Sequence, residues 1–153
     1  MTDAADPPSY DTLLLPVEGS AAATAATTHA AKLATTYDAT VHVLSVVDTR
    51  NRFESPSSGL APEAWEESQR EQATEAIDAA VAALPDAADV ETSIEEGRPE
   101  TVILEWVDDH AVDLVVMGTH GRTGIDHYLI GSVTEDVVRK SAAPVLTIRL
   151  EDG

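Results

Sequence analysis

The chain has 153 residues, enough to bury one core, and 43% of them are hydrophobic. Its 28 Asp and Glu against 9 Lys and Arg leave a formal net charge of −19, which disfavours nucleic acid as a partner because no basic stripe exists to displace counterions from a phosphate backbone. Absence of cysteine excludes a disulfide framework, a thiolate metal site and a cysteine nucleophile, and no apolar run approaches the roughly 18 residues of a membrane span.

Charge of one sign makes such a chain repel itself in dilute buffer. At about 1 M salt the Debye length shrinks to about 3 Å, and surface carboxylates then keep the protein hydrated without that repulsion. The composition fits a salt-rich cytoplasm of the kind a halophile maintains. The opening "MTDAADPPSY" lacks the basic and apolar regions of a signal peptide, so a cytoplasmic protein without membrane insertion is expected. Residues 1–9 read as a flexible acidic tail and residues 10–153 as a single domain.

In chain order, "TLLLPV" (residues 12–17) is a continuous apolar run, as expected of a central strand covered on both faces. "SAAATAATTHAAKLATTY" (20–37) reads as a helix of alanine and threonine that can lie close to a sheet. "TVHVLSVV" (40–47) is a second buried strand, and residues 48–62 form a long polar connection, uncommon in compact domains. A helix is expected over 62–84, where Glu63, Glu66, Glu67, Glu71 and Glu75 suggest a hydrated face and Trp65 a packing residue. "DVETSI" (89–94) alternates, with Val90, Thr92 and Ile94 on one face, which suits a sheet edge.

Pro99 marks the first turn of a helix over 99–111, with Trp106 a packing residue, and "VDLVVMG" (112–118) is another central strand. Ser132 and Glu135 have the spacing of a capping box for a helix over 132–141. "PVLTIRL" (144–150) alternates like an edge. Strands alternating with helices indicate an α/β domain with a mainly parallel sheet, whose ligands bind beyond the carboxyl ends of the strands.

The stretch "MGTHGRTGIDHYLIGSVTED" (117–136) joins the fourth strand to the last helix. Gly118, Gly121, Gly124 and Gly131 there either serve turn geometry or let a phosphate approach backbone N–H groups at a helix start. It is not a P-loop, since no glycine is followed by Lys and Ser or Thr. Nor is it a dinucleotide GxGxxG fingerprint. His120 and His127 lack an apparent third metal ligand.

Gly118, two residues, Gly121, nine residues, then Gly131 and Ser132, preceded by "DLVVMG" and followed by "VTEDVVRKSAAPVL", resembles the ATP-binding signature of the universal stress protein family. "YDTLLLPVEGS", "VHVLSVVD" and "GRPETVILEWVDDHAVDLVVMGTHGRTG" resemble its first strand and turn, its second strand, and its third helix with fourth strand. The resemblance implies an open five-stranded parallel sheet of order 3-2-1-4-5 flanked by four helices, Rossmann-like and of the adenine nucleotide alpha hydrolase type.

It also implies ATP across the ends of the first and fourth strands. Pro16 and Glu18 would lie by the adenosine, Val46 would bracket adenine through its backbone, and Met117 and Gly118 would approach adenine and ribose. Gly121, Gly131, Ser132, Val133 and Thr134 would surround the phosphates, with Arg122 and a Mg²⁺ or Mn²⁺ ion as counter-charge. The family usually has Asp where this chain has Glu18, which sets the carboxylate one methylene further out.

The resemblance implies a nucleotide-responsive stress regulator that pairs with a second copy through its C-terminal strand, a strand whose alternation would invite such pairing at an edge. No nucleophile with a positioned base is legible, so no catalytic residue and no resident metal ligand is assigned. Two alternatives stand beside this reading: a dimeric interaction module that binds no nucleotide, and a slow nucleotide hydrolase.

Overall fold

The computed structural model describes residues 9–49, 61–119 and 131–149. Along them run β1 (Thr12–Pro16), α1 (Ala21–Tyr37), β2 (Thr40–Asp48), α2 (Pro62–Ala83), β3 (Asp89–Gly97), α3 (Pro99–Asp109), β4 (Leu114–Gly118), α4 (Ser132–Lys140) and β5 (Val145–Ile148). All strand pairs are parallel and the order across the sheet is β3-β2-β1-β4-β5. The two alternating segments are therefore the two edges.

The continuous apolar run of β1 follows from burial on both sides. Leu13 and Leu15 enter a cluster beneath α1 and α2, whereas Leu14 enters a second cluster beneath α3 and α4. On the edge strand β3, Val90 and Ile94 pack toward α1 and α2 while Glu91 and Glu95 remain exposed.

Helix α1 meets the sheet through small residues, with Ala22, Ala23, Ala26, Thr27, Ala30 and Ala34 buried. Its threonines return their hydroxyl protons to the carbonyl one turn back, as Thr27 does to Ala23 at 2.9 Å, so β-branched polar residues are accommodated inside the helix. Ser20 caps its start, its Oγ accepting from the Ala23 amide at 3.0 Å. Helices α2 and α3 both begin with proline, where no amide is needed. Trp65 is buried with Val47 and Ala73. Among the described residues no helix is long and apolar enough to cross a membrane.

Most boundaries differ from the sequence reading by one or more residues, the strands β3, β4 and β5 and helix α3 by the most. β4 starts at Leu114, the first residue paired with β1, and the Asp113 just before it has its Oδ2 accepting from the Asp11 and Thr12 amides, both at 2.9 Å, which fixes the entry to β1. β3 continues past Ile94 to Gly97, since β2 pairs with it as far as Asp48 opposite Gly97.

Candidate functional site

Strand order alone opens a crevice here. The chain leaves β1 toward β2 with α1 and α2 on one face, and leaves β4 toward β5 with α4 on the other, so the direction of winding reverses between β1 and β4. The ladders show the opening directly. β1 stays paired with β2 up to Pro16 opposite Leu44, and β4 with β5 up to Gly118 opposite Ile148, yet β1 and β4 pair only at Leu13 with Leu114 and Leu14 with Val115.

Pro16 explains why that ladder stops. The Val17 amide donates to Leu44 on β2 at 2.9 Å, whereas the Thr12 carbonyl accepts from Asp113 ahead of β4 at 2.9 Å. Odd positions of β1 thus address β2 and even positions address β4. The amide that proline lacks is the next one β4 would have met.

The described residues singled out in the sequence fall at different places near the carboxyl ends of these strands. Val46 and Met117 lie on the α3/α4 side of the sheet, Met117 buried within that cluster and Val46 packed against it. Gly118 ends β4 on the opposite side: a Cβ there would lie 2.6 Å from the Ala22 Cβ and 2.8 Å from the Ala22 carbonyl carbon and oxygen. Close packing with α1 therefore already demands glycine. Glu18 is exposed in the turn after β1 and helps line a groove of about 330 Å³ between α1 and α2, together with Gln72 and Glu75.

The beginning of α4 corrects one expectation. Ser132 does not cap the helix: Gly131 is the capping residue, extended at φ −64° and ψ 155°, with no side-chain cap bond, and exposed Ser132 is the first helical residue. The Gly131 amide donates to the Thr119 carbonyl at 2.6 Å, and the first intrahelical bond runs from Glu135 to Gly131 at 2.9 Å. The amides of Ser132, Val133 and Thr134 consequently have no acceptor within the helix. Thr134 is buried and its Oγ1 donates to the Gly118 carbonyl at 2.8 Å. Gly121 and Arg122 lie outside the described residues, as do Gly124, His120 and His127.

Uncapped amides at the positive end of a helix, set beside an opened strand pair, can receive an anionic group. A sequence model of the universal stress protein family matches residues 9–149. The chain belongs to that family. Among its relatives, universal stress protein MJ0531 of Methanocaldococcus jannaschii is 34% identical over 145 residues, covering 92% of this chain and 82% of the relative. Among solved structures, the MJ0577 protein of the same organism aligns with a TM-score of 0.81 at 29% identity, covering 94% of this chain and 99% of the other. A universal stress protein solved in complex with cAMP aligns with a TM-score of 0.64 at 27% identity, covering 92% of this chain and 98% of the other.

This universal stress protein also has a polar cluster at the amino ends of its strands that sequence reading missed. His42 on β2 lies with its Nε2 3.1 Å from Ser93 Oγ and its Nδ1 3.4 Å from Glu91 Oε2, both on β3. Its ring meets Trp106 of α3 edge-on, with centroids 4.6 Å apart, and Trp106 in turn stacks on His110 at 4.0 Å. Burial lowers the His42 pKa from 6.5, with Glu91 opposing the shift and His110 adding to it. One histidine inside the apolar run "VHVLSVV" was the available signal. Among the described residues no group of three or more His, Asp or Glu is placed to hold a metal ion.

Proposed function

We propose that this universal stress protein binds an adenine nucleotide, ATP, across the carboxyl ends of β1 and β4 and acts as a nucleotide-responsive regulator in stress. The observation that carries the reading is the β1–β4 opening beside the uncapped start of α4, in a family with a member solved with cAMP. Pro16, Glu18 and Val46 would hold the adenosine end with Met117 and Gly118. Gly121, Gly131 and the amides of Ser132, Val133 and Thr134 would face the phosphates.

A chain of net charge −19 needs local positive potential to hold a triphosphate. The helix start, Arg122 and a Mg²⁺ or Mn²⁺ ion arriving with the nucleotide are the sources in this reading. ATP serves as a state signal rather than a substrate consumed quickly. Residues 10–153 act as one domain with residues 1–9 as a tail, in a salt-rich cytoplasm. Two copies pair along the outer edge of β5, where Leu146 and, on neighbouring α4, Val138 are exposed.

Titration calorimetry with Mg²⁺ and ATP in molar KCl tests the proposal. Saturable binding is expected, abolished by Gly131→Val. Valine adopts the backbone angles found at Gly131 without strain, and circular dichroism of the variant checks that its fold is kept. Absence of binding by the unaltered protein to ATP and to AMP would overturn the reading in favour of an interaction module that uses no nucleotide.

A further inference from the structure

The last carbonyl of β4 is held from two directions. On one side Gly118 abuts the first turn of α1 at Ala22, closely enough to exclude any side chain. On the other, Thr134 from the first turn of α4 donates its hydroxyl proton to the Gly118 carbonyl. The next residue, Thr119, accepts from the Gly131 amide at 2.6 Å and donates its own amide to Ile148 of β5 at 3.0 Å. Gly118 and Thr119 together are thus the joint at which α1, α4, β4 and β5 meet.

Thr134 behaves unlike the threonines of α1. Thr24, Thr27, Thr28, Thr35 and Thr36 each return the hydroxyl to the carbonyl four residues earlier. The hydroxyl of Thr134 instead crosses to a strand residue 16 positions away, while the residue itself is only 4% exposed. A hydroxyl has a single proton to donate, and a phosphate oxygen only accepts. Donation to Gly118 therefore withholds that proton from any phosphate.

We propose that Thr134 is a positioning residue: its hydroxyl, through the Gly118 carbonyl, fixes the uncapped amides of α4 over the β1–β4 crevice and is not itself a phosphate ligand. The effect on affinity rests on the nucleotide reading above; the mechanical role in the free protein does not. Removing the hydroxyl leaves Gly118 without this donor and lets the start of α4 shift relative to β4, while adenosine, which lacks phosphate, loses nothing.

Two measurements on the full chain test this, using Thr134→Val, of the same shape without the hydroxyl, and Thr134→Ser, which retains it. In the ligand-free protein, residue-resolved hydrogen exchange at the Gly131 and Glu135 amides is expected to quicken about 5- to 10-fold in Thr134→Val, the scale of one hydrogen bond, and to return toward the original in Thr134→Ser. In molar KCl, AMP affinity is expected to fall by a similar factor in Thr134→Val, with adenosine affinity unchanged and AMP affinity restored by serine.

Unchanged exchange overturns the proposal, and unchanged exchange with lost AMP affinity would make the hydroxyl a direct ligand. Quickened exchange with undiminished AMP binding also overturns it. Should the unaltered protein bind none of ATP, AMP and adenosine, the nucleotide reading fails; should it bind ATP alone, ATP takes the place of AMP in the comparison, and in either case exchange decides the joint. Thr134→Ala supplies a second hydroxyl-free variant if valine prevents folding.

Discussion

A buried imidazole between a carboxylate and an indole gives this protein a titration of its own. Burial disfavours the charged form of His42, so its pKa falls below 6.5 despite the pull of Glu91. As pH drops through about 6.5, the unfolded chain takes up the proton before the folded one does. This contribution to stability is complete above about pH 6.5, declines as pH falls toward the lower folded value and levels off beneath it. Urea midpoints from about pH 8 to about pH 5 should show that decline, and His42→Gln should flatten part of it; equal slopes in the two proteins would refute the assignment. Single residues were only partly legible beforehand. Gly118 was marked by its place in a glycine pattern, while the neighbour that requires it, Ala22, lies nearly a hundred positions away and leaves no local trace. Ser132 and Glu135 carried the capping spacing, but with Gly131 already extended at the cap, the serine falls one position inside the helix.

Secondary structure was more legible, because burial on one or both faces writes itself into the period of the sequence. "DVETSI" and "PVLTIRL" alternate and occupy the edges, while "TLLLPV" and the Leu114–Gly118 run do not alternate and sit inside the sheet. Strand order followed from the family resemblance rather than from any residue. What no periodicity conveyed is where paired strands part. That point depends on the missing amide of Pro16 facing β4, and so on which neighbour each β1 position addresses. Pro16→Val supplies the amide, allows the β1–β4 ladder to advance beyond Leu14 and narrows the crevice. AMP affinity should drop several-fold by calorimetry with the fold retained, since a single added backbone hydrogen bond contributes only about 1 kcal/mol. Undiminished affinity would show that the parting of the strands has another cause.

For the molecule as a whole, charge dominates what packing leaves open. Several ion pairs within the described residues join exposed or half-exposed groups, such as Arg139 with Glu135 at 2.8 Å one turn apart on α4 and Arg70 with Glu96 at 3.3 Å, and pairs of this kind contribute little. They leave the excess of carboxylates unneutralised, and a chain of −19 gains stability when its repulsion is screened. Raising KCl from about 0.05 M to about 2 M should increase the thermal midpoint by about 10 °C or more, most of it below about 1 M where the Debye length shortens fastest. A midpoint independent of salt would remove the case for a salt-rich setting. One further consequence follows from the bond between the Gly131 amide and the Thr119 carbonyl, which clasps together the two chain ends flanking residues 120–130. A stretch inserted at a clasped base can be lengthened, shortened or exchanged while the sheet beneath keeps its register. Positions 119 and 131 are therefore natural splice points, at which the intervening stretch of another protein can be transplanted as a cassette.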